Sequence, residues 1–273
     1  MRQVETVRKN EAHNIQQDSW RSLKAFTEAR IALGRTGTSV PLDEYLAFKL
    51  AHANARDAVY STIKVDQLCA GLQSLELPFI LAKSKVRNRQ EYLQRPDLGR
   101  QLNSASSLQL AKSSSESFDI SIIVADGLSA AAINAHTIHL LQLLVPRLRS
   151  AGCTLAPIVV AENARVAISD EIGERLKAKI AVILIGERPG LSSNNSLGAY
   201  LTYSPKAGLT DESRNCVSNI RPEGLAYECA SDKLFFLIKE SLRRKLSGVR
   251  LKEEALRFLK ATSGVSAIDE RQF

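Results

Sequence analysis

The sequence predicts an α/β fold: a Rossmann-like parallel sheet flanked by helices, preceded by an N-terminal helical region. From Phe118 onward, short apolar runs alternate with stretches of helical period. Strands separated by helices favour parallel pairing, because a parallel neighbour needs a crossover and right-handed crossovers pack back onto the sheet. Before about residue 115 the apolar residues instead recur at helical spacing. Between the two patterns lies KSSSES, whose Ser run at 113–115 reads as a linker. The predicted organisation is therefore a helical region over 1–115 and a Rossmann-like domain with a C-terminal helix over 116–273.

Taken in order, GRTGTSV from Gly34 reads as a loop, since it lacks the GxxxxGK[ST] spacing that lets backbone amides and a Lys cradle phosphates. The segment PLDEYLAFKLAHANARDAVYSTI from Pro41 reads as an amphipathic helix, with Leu42, Tyr45, Leu46, Leu50, Ala53 and Ala58 on one face. Pro41 suits its first turn, and Asp43 and Glu44 suit the positive end of its dipole. RPDLGRQLNSASSLQLAKSSS reads as a helix opening at Pro96 and Asp97. Then FDISIIVADGLS is a strand ending at Asp126, INAHTIHLLQLLVPRLRSA a helix, CTLAPIVVAE a strand and ISDEIGERLKA a helix. IAVILIGERPG and LGAYLTYSP follow as strands. The last segment, from about Leu225, reads as one long helix broken or ended near Gly248, with a frayed tail at DERQF.

Composition narrows the function classes. Of the 273 residues 44% are hydrophobic and 24% charged, the balance of a globular protein with a sizeable core. The opening MRQVETVRKNEAHNIQQDSW has no apolar core of a signal peptide, and no later apolar run reaches the roughly 18 residues of a membrane span. A cytoplasmic location is expected. Cys69, Cys153, Cys216 and Cys229 lie far apart without a CxxC pair, so each reads as a small buried hydrophobe rather than a zinc ligand, a disulfide partner or a reactive thiol. The net charge of +8 admits a rival function, a basic module for nucleotide or nucleic acid using the cluster Arg243 to Lys245. Residues 239–260 hold eight basic and three acidic side chains, so a solvated or partner-facing helix explains much of that charge equally well. Aromatic residues at 5% also leave few stacking platforms for single strands.

The motifs for common enzyme chemistry are missing. DGLSAAA stands where a dinucleotide fold would carry GxGxxG, and Ser129 sits in GLSAA rather than GxSxG. His136 and His139 read as satisfied helix histidines, since no carboxylate stands at ligand spacing. What remains is polar residues at strand ends: Asp126, Gly127 and Ser129 after the first strand, Glu162 and Arg165 after the second, Glu187 and Arg188 after the third. Asp126 or Ser129 can serve as a helix cap, and Pro189-Gly190 as a type II turn. Recurrence along one carboxyl edge is also what a ligand site produces.

The strings RPDLGR, ADGLS, ARVAISDEIGE, ILIGERPGL, YSP and RNCVSNI occur in the order and approximate spacing of the small subunit of ethanolamine ammonia-lyase, and ARIALGRTGTSVP with ARDAV extends the likeness upstream. The sequence resembles that family over roughly residues 27–247. The resemblance implies an adenosylcobalamin-dependent lyase converting ethanolamine to acetaldehyde and ammonia. In it a large barrel subunit carries the substrate site and the small subunit helps hold the cobalamin between them. It further implies a hetero-oligomer of several heterodimeric units, with neither nucleic acid nor membrane as partner, and a chain that is catalytically incomplete alone. Carried over by motif, the cofactor contacts are Val166 in ARVAI, Glu187 in GERPG and Cys216 in RNCVSNI. The motif D-x-H-x-x-G is absent, because no His has an Asp two positions before it, so a bound cobalamin keeps its own base on cobalt. The family also implies entry into a bacterial microcompartment through an N-terminal extension, yet only 19 residues precede Trp20 here.

Overall fold

A computed structural model describes residues 15–113 and 116–251. The Ser run at 113–115 and the DERQF tail therefore lie largely or wholly outside the described residues. The described chain forms two compact units, one of residues 15–57 with 189–194, the other of 58–188 with 195–251.

In the first unit GRTGTSV is a loop, as its glycines require: Gly34 and Gly37 sit at φ +75° and +59°, and Thr36 bridges Ser39 across the reversal. Pro189-Gly190 departs from a type II turn. Gly190 has no positive φ among the described residues, and its N–H donates to the Ser193 carbonyl at 2.7 Å. Helix α1 runs from Leu42 to Tyr60, entered at Pro41 with Asp43 and Glu44 in its first turn. Its apolar face is real but uncovered, for Leu42, Tyr45, Leu46, Leu50 and Ala53 are exposed and only Ala58 is buried.

The second unit contains, in order, α2 (Val65–Gln73), β1 (Phe79–Lys83), α3 (Arg89–Gln94), α4 (Ser104–Lys112), β2 (Phe118–Ala125), α5 (Ala130–Ser150), β3 (Ile158–Glu162), α6 (Ile168–Arg175), β4 (Ala178–Gly186), β5 (Leu197–Tyr203), β6 (Arg214–Ile220) and α7 (Tyr227–Arg244). Strand β1 falls inside the stretch read as helical. Five residues of FILAK after Pro78 carry too little periodicity to separate strand from helix. The helix read from Pro96 instead begins at Ser104. Asp97 binds Arg95 rather than capping, the turn Leu98–Arg100 closes on itself, and Asn103 supplies the cap by accepting from the Ser106 N–H at 2.8 Å. The last helix ends at Arg244, with Lys245 in the left-handed conformation, just before Gly248.

The sheet has six strands in the order β1-β3-β2-β4-β5-β6. Pairings β1–β3, β3–β2 and β2–β4 are parallel, while β4–β5 and β5–β6 are antiparallel, so the sheet is mixed rather than wholly parallel. Chain length explains the change. The links 187–196 and 204–213 contain no α-helix, and at ten residues each they are too short for a parallel crossover.

Alternation along β2 sends Ile120, Ile122 and Val124 into one core with α2, α5 and α7, and Ile123 and Ala125 into another with α4 and α6. Burial on both faces is why the strands read as unbroken apolar runs. Because α5 and α6 cover opposite faces, the chain leaves β2 toward β3 on one side and returns beyond β2 to β4. Strand order therefore reverses between β2 and β4, whose carboxyl ends frame the crevice where such folds bind ligands.

Candidate functional site

At that reversal two glycines let the backbones meet. Gly127 holds φ +56°, and a Cβ there would strike the Gly186 carbonyl; a Cβ on Gly186 would strike the Ser129 carbonyl. Asp126, the last residue before the turn, ties the end of β2 to the loop after β3 and to α3. Its carboxylate accepts from the backbone N–H groups of Asn163 and Ala164 at 2.9 and 3.0 Å and from Arg89 Nη1 at 3.4 Å. Burial pushes the Asp126 carboxyl up, against the pull of the Ala164 N–H and of Arg89. Asp126 thus staples β2 to the loop after β3 and is not a helix cap. Ser129 occupies the N-cap position of α5 without a side-chain cap hydrogen bond.

Beyond α6 the sheet is left open. That helix has eight residues and packs on β4 and β2, so Tyr200 of β5 and Cys216 of β6, paired in register, face a recess of about 970 Å³. Val166, just before α6, lines the same recess with Leu102, Leu209 and Pro96, while Arg165, Arg100 and Lys85 supply cations. In its floor Arg214 is enclosed, its Nη2 donating to Asp170 and to the Leu209 carbonyl and its Nη1 to Asp211 at 3.0 Å. Burial raises the Asp170 carboxyl to about 6, opposed by Arg214. It also raises the Tyr200 phenol, with Cys216 and Glu187 adding to the rise, so Tyr200 presents a neutral O–H at neutral pH.

Of the site residues read from sequence, Val166 and Cys216 line one recess. Glu187 stands beside it, its side chain against Gly198 of β5. Its Oε2 accepts from Ser196 Oγ at 2.7 Å and from the Asn219 N–H at 3.2 Å. Oε1 takes no hydrogen bond from the described residues. Glu162 is engaged with Lys83 at 3.0 Å, and Arg188 is exposed. Cys216 and Cys229 are exposed and Cys69 and Cys153 half-buried, so the reading of four buried thiols is corrected; burial raises the pKa of the latter two. His136 Nδ1 lies 2.8 Å from Tyr227 Oη, and His139 stacks on the same ring, a use that needs no metal. Tyr200, Arg214 and Asp170 were not singled out from sequence. Tyr200 could have been found by alternation within LGAYLTY, whereas the Asp170–Arg214 pairing joins residues that only the fold brings together.

Within the rival basic cluster one carboxylate is shared. Arg243 and Arg244 both pair with Glu240, at 2.6 and 3.0 Å. Among the described residues no helix is long and apolar enough to cross a membrane, and no group of His, Cys, Asp and Glu could hold a metal ion.

The chain is similar in sequence to known proteins. The model of the family described as ethanolamine ammonia-lyase light chain (EutC) matches residues 17–252. The chain is 51% identical over 242 residues to the ethanolamine ammonia-lyase small subunit of Azotobacter vinelandii, covering 88% of this chain and 90% of that protein. It is 50% identical over 244 residues to the protein of the same name from Ralstonia nicotianae, covering 88% and 90%. Against that of Xanthomonas campestris pv. campestris the identity is 48% over 259 residues, covering 94% and 95%. The chain belongs to the ethanolamine ammonia-lyase light-chain family.

Proposed function

We propose that this chain is the small subunit of an adenosylcobalamin-dependent ethanolamine ammonia-lyase, and that with a large subunit it converts ethanolamine to acetaldehyde and ammonia. The observation that carries the reading is the open recess on the carboxyl side of the sheet, whose lining suits the rim of a corrin ring. Such a rim is a ring of primary amides over an apolar macrocycle. Glu187 Oε1 and the neutral Tyr200 hydroxyl supply an acceptor and a donor for amides, while Val166 and Leu102 supply apolar contact. Cys216 is small and exposed, a soft surface on which a large ring can lie close.

The residues present divide the work in a definite way. Among the described residues no histidine lines the recess, and the part its residues would play is binding, orientation and exclusion of water. Bound adenosylcobalamin supplies the radical. The substrate site belongs to the partner in this reading. The uncovered face of α1 suits burial against that large subunit. Cysteines outside any disulfide among the described residues suit the reducing cytoplasm.

Reconstitution tests the proposal. Acetaldehyde should form only when this chain, the large subunit and adenosylcobalamin are combined, and activity from this chain alone would overturn the division of labour. In the same complex Glu187→Ala should weaken corrinoid retention by about tenfold, the scale of one hydrogen bond to a charged group, while the circular dichroism of the chain stays unchanged. Unchanged retention removes Glu187 from the site.

A further inference from the structure

We infer that Asp126 and Tyr92 are positioning residues: neither lines the recess, but together they fix the backbone that carries Val166 into it. This rests on the cobalamin reading above. The segment 163–167 lies beyond the last paired residues of β3, Glu162 with Lys83 and Ala161 with Ala125, and ends where α6 begins at Ile168. Neither sheet nor helix therefore sets its shape. It also leaves β3 in a conformation that has to be held, since Asn163 sits at φ +51°, a left-handed value that residues with a side chain adopt at a cost. The Asn163 N–H donates to Asp126 Oδ2 at 2.9 Å, and its carbonyl accepts from Ser84 Oγ at 2.7 Å. The Ala164 N–H donates to Asp126 Oδ1 at 3.0 Å, and its carbonyl accepts from Tyr92 Oη at 3.1 Å. The Arg165 N–H donates to the Gly99 carbonyl at 2.8 Å. Asp126 and Tyr92 thus make three of these five bonds.

Both residues are themselves held. The Tyr92 ring is fully buried, with the Arg165 guanidinium 4.1 Å from its centre and that of Arg89 at 4.6 Å, and Arg165 Nη2 donates to the Tyr92 carbonyl at 3.1 Å. Burial pushes the Tyr92 phenol up, so its O–H stays a donor. Arg89 in turn reaches Asp126 and donates from Nη1 to the Gly127 carbonyl at 2.8 Å and from Nε to the Val59 carbonyl at 2.7 Å. A Cβ on Gly99 would come within 2.9 Å of Arg165 Cγ and 3.3 Å of the Tyr92 ring, so glycine is what lets the segment and the ring close on each other. The segment that delivers Val166 is therefore set before any ligand arrives, and a ligand that meets a ready-made surface forfeits no affinity in ordering it. A carboxylate is needed at 126 because both of its oxygens face N–H donors, whereas an amide would turn its own NH₂ toward one of them.

The test uses the assembled complex of this chain with its large subunit. Without cofactor, hydrogen exchange at the amides of residues 163–165 should speed up about tenfold in Asp126→Asn and about fivefold in Tyr92→Phe, while the amides of β2 and β4 keep their rates. Titrated by visible absorbance, the same variants should bind adenosylcobalamin about tenfold and about fivefold more weakly. Combined with Val166→Ala, either loss should fall short of the product of the single losses, because both act through one contact. Combined with Glu187→Ala, on another strand end, the Tyr92→Phe loss should multiply in full. Tyr92→Phe keeps the ring and carries the test if Asp126→Asn fails to assemble. Exchange that quickens equally in β2 and β4 shows a role in the fold at large and overturns the assignment. So does unchanged affinity, or a loss that multiplies in full with that of Val166→Ala. Failure of the wild-type complex to bind adenosylcobalamin overturns the cobalamin reading and this one with it.

Discussion

Asp170 and Arg214 meet beneath the recess with side chains only 1% and 2% exposed, and the pair shows what burial does to a charge. Two ions withdrawn from water lose more hydration than a single contact restores, even with Asp211 on the outer side of the same guanidinium. The Asp170 carboxyl accordingly titrates near 6 in the folded chain, against 3.8 for an unperturbed Asp. Because the folded value is the higher one, the folded chain holds more protons than the unfolded chain between those limits. Stability contributed by this group is then complete below about pH 4 and is lost as pH rises through about 6. Asp170→Asn abolishes that titration while keeping the shape. Chemical denaturation of both proteins across pH 4 to 7 should therefore show the wild type losing about 3 kcal/mol relative to Asp170→Asn as pH rises. A gap that stays constant across the range would mean that Asp170 is ionised throughout.

Helix α1 poses the opposite problem, an apolar face left in water. Leu42 is 70% exposed and Leu50 62%, and Leu46 stands between them at four-residue spacing. With Trp20 and Phe26 also exposed in the same compact unit, these residues make a surface that a subunit of a complex would cover. Leu46→Asp with Leu50→Asp should abolish co-purification with the large subunit while leaving the helical circular dichroism of the chain intact; undiminished co-purification would place the interface elsewhere. The amphipathic pattern was legible in the sequence, but the partner of that face was not, since periodicity reports that a face is apolar and not what meets it. The same limit governs the sheet. Strands β2 to β5 were readable because each is a run of seven or more residues or is bounded by turn residues, whereas β1 is a five-residue apolar run and β6, RNCVSNI, is mostly polar. The reversal of β5 was hidden because direction depends on the length of a link, and the links on either side of it look in sequence like ordinary loops.

At the scale of the molecule, the placement of polar residues at successive strand ends was legible, and parallel β2, β3 and β4 do bring Asp126, Glu162 and Glu187 to one edge. Their division was not, since the Asp126 carboxylate is tied to the loop after β3, Glu162 pairs with Lys83 and Glu187 accepts from Ser196. Nor was the recess, which exists because α6 is too short to cover β5 and β6 and draws its walls from residues far apart in sequence, Lys85 to Cys216. A recess open on one side can cover only part of a ligand as broad as a corrin, leaving the rest in contact with water. Small-molecule sites that bind tightly bury most of their ligand, and partial enclosure forgoes that share of the contact. On the proposed function the second wall would come from the large subunit, where closing over the ring would also keep solvent from the radical. This chain alone should therefore bind adenosylcobalamin at least about 100-fold more weakly than the assembled complex does, a difference that follows from lost apolar contact at about 25 cal/mol per Å² over only a modest area. Equilibrium dialysis of the chain with and without the large subunit measures it, and equal affinity in the two would mean that the recess alone encloses the cofactor.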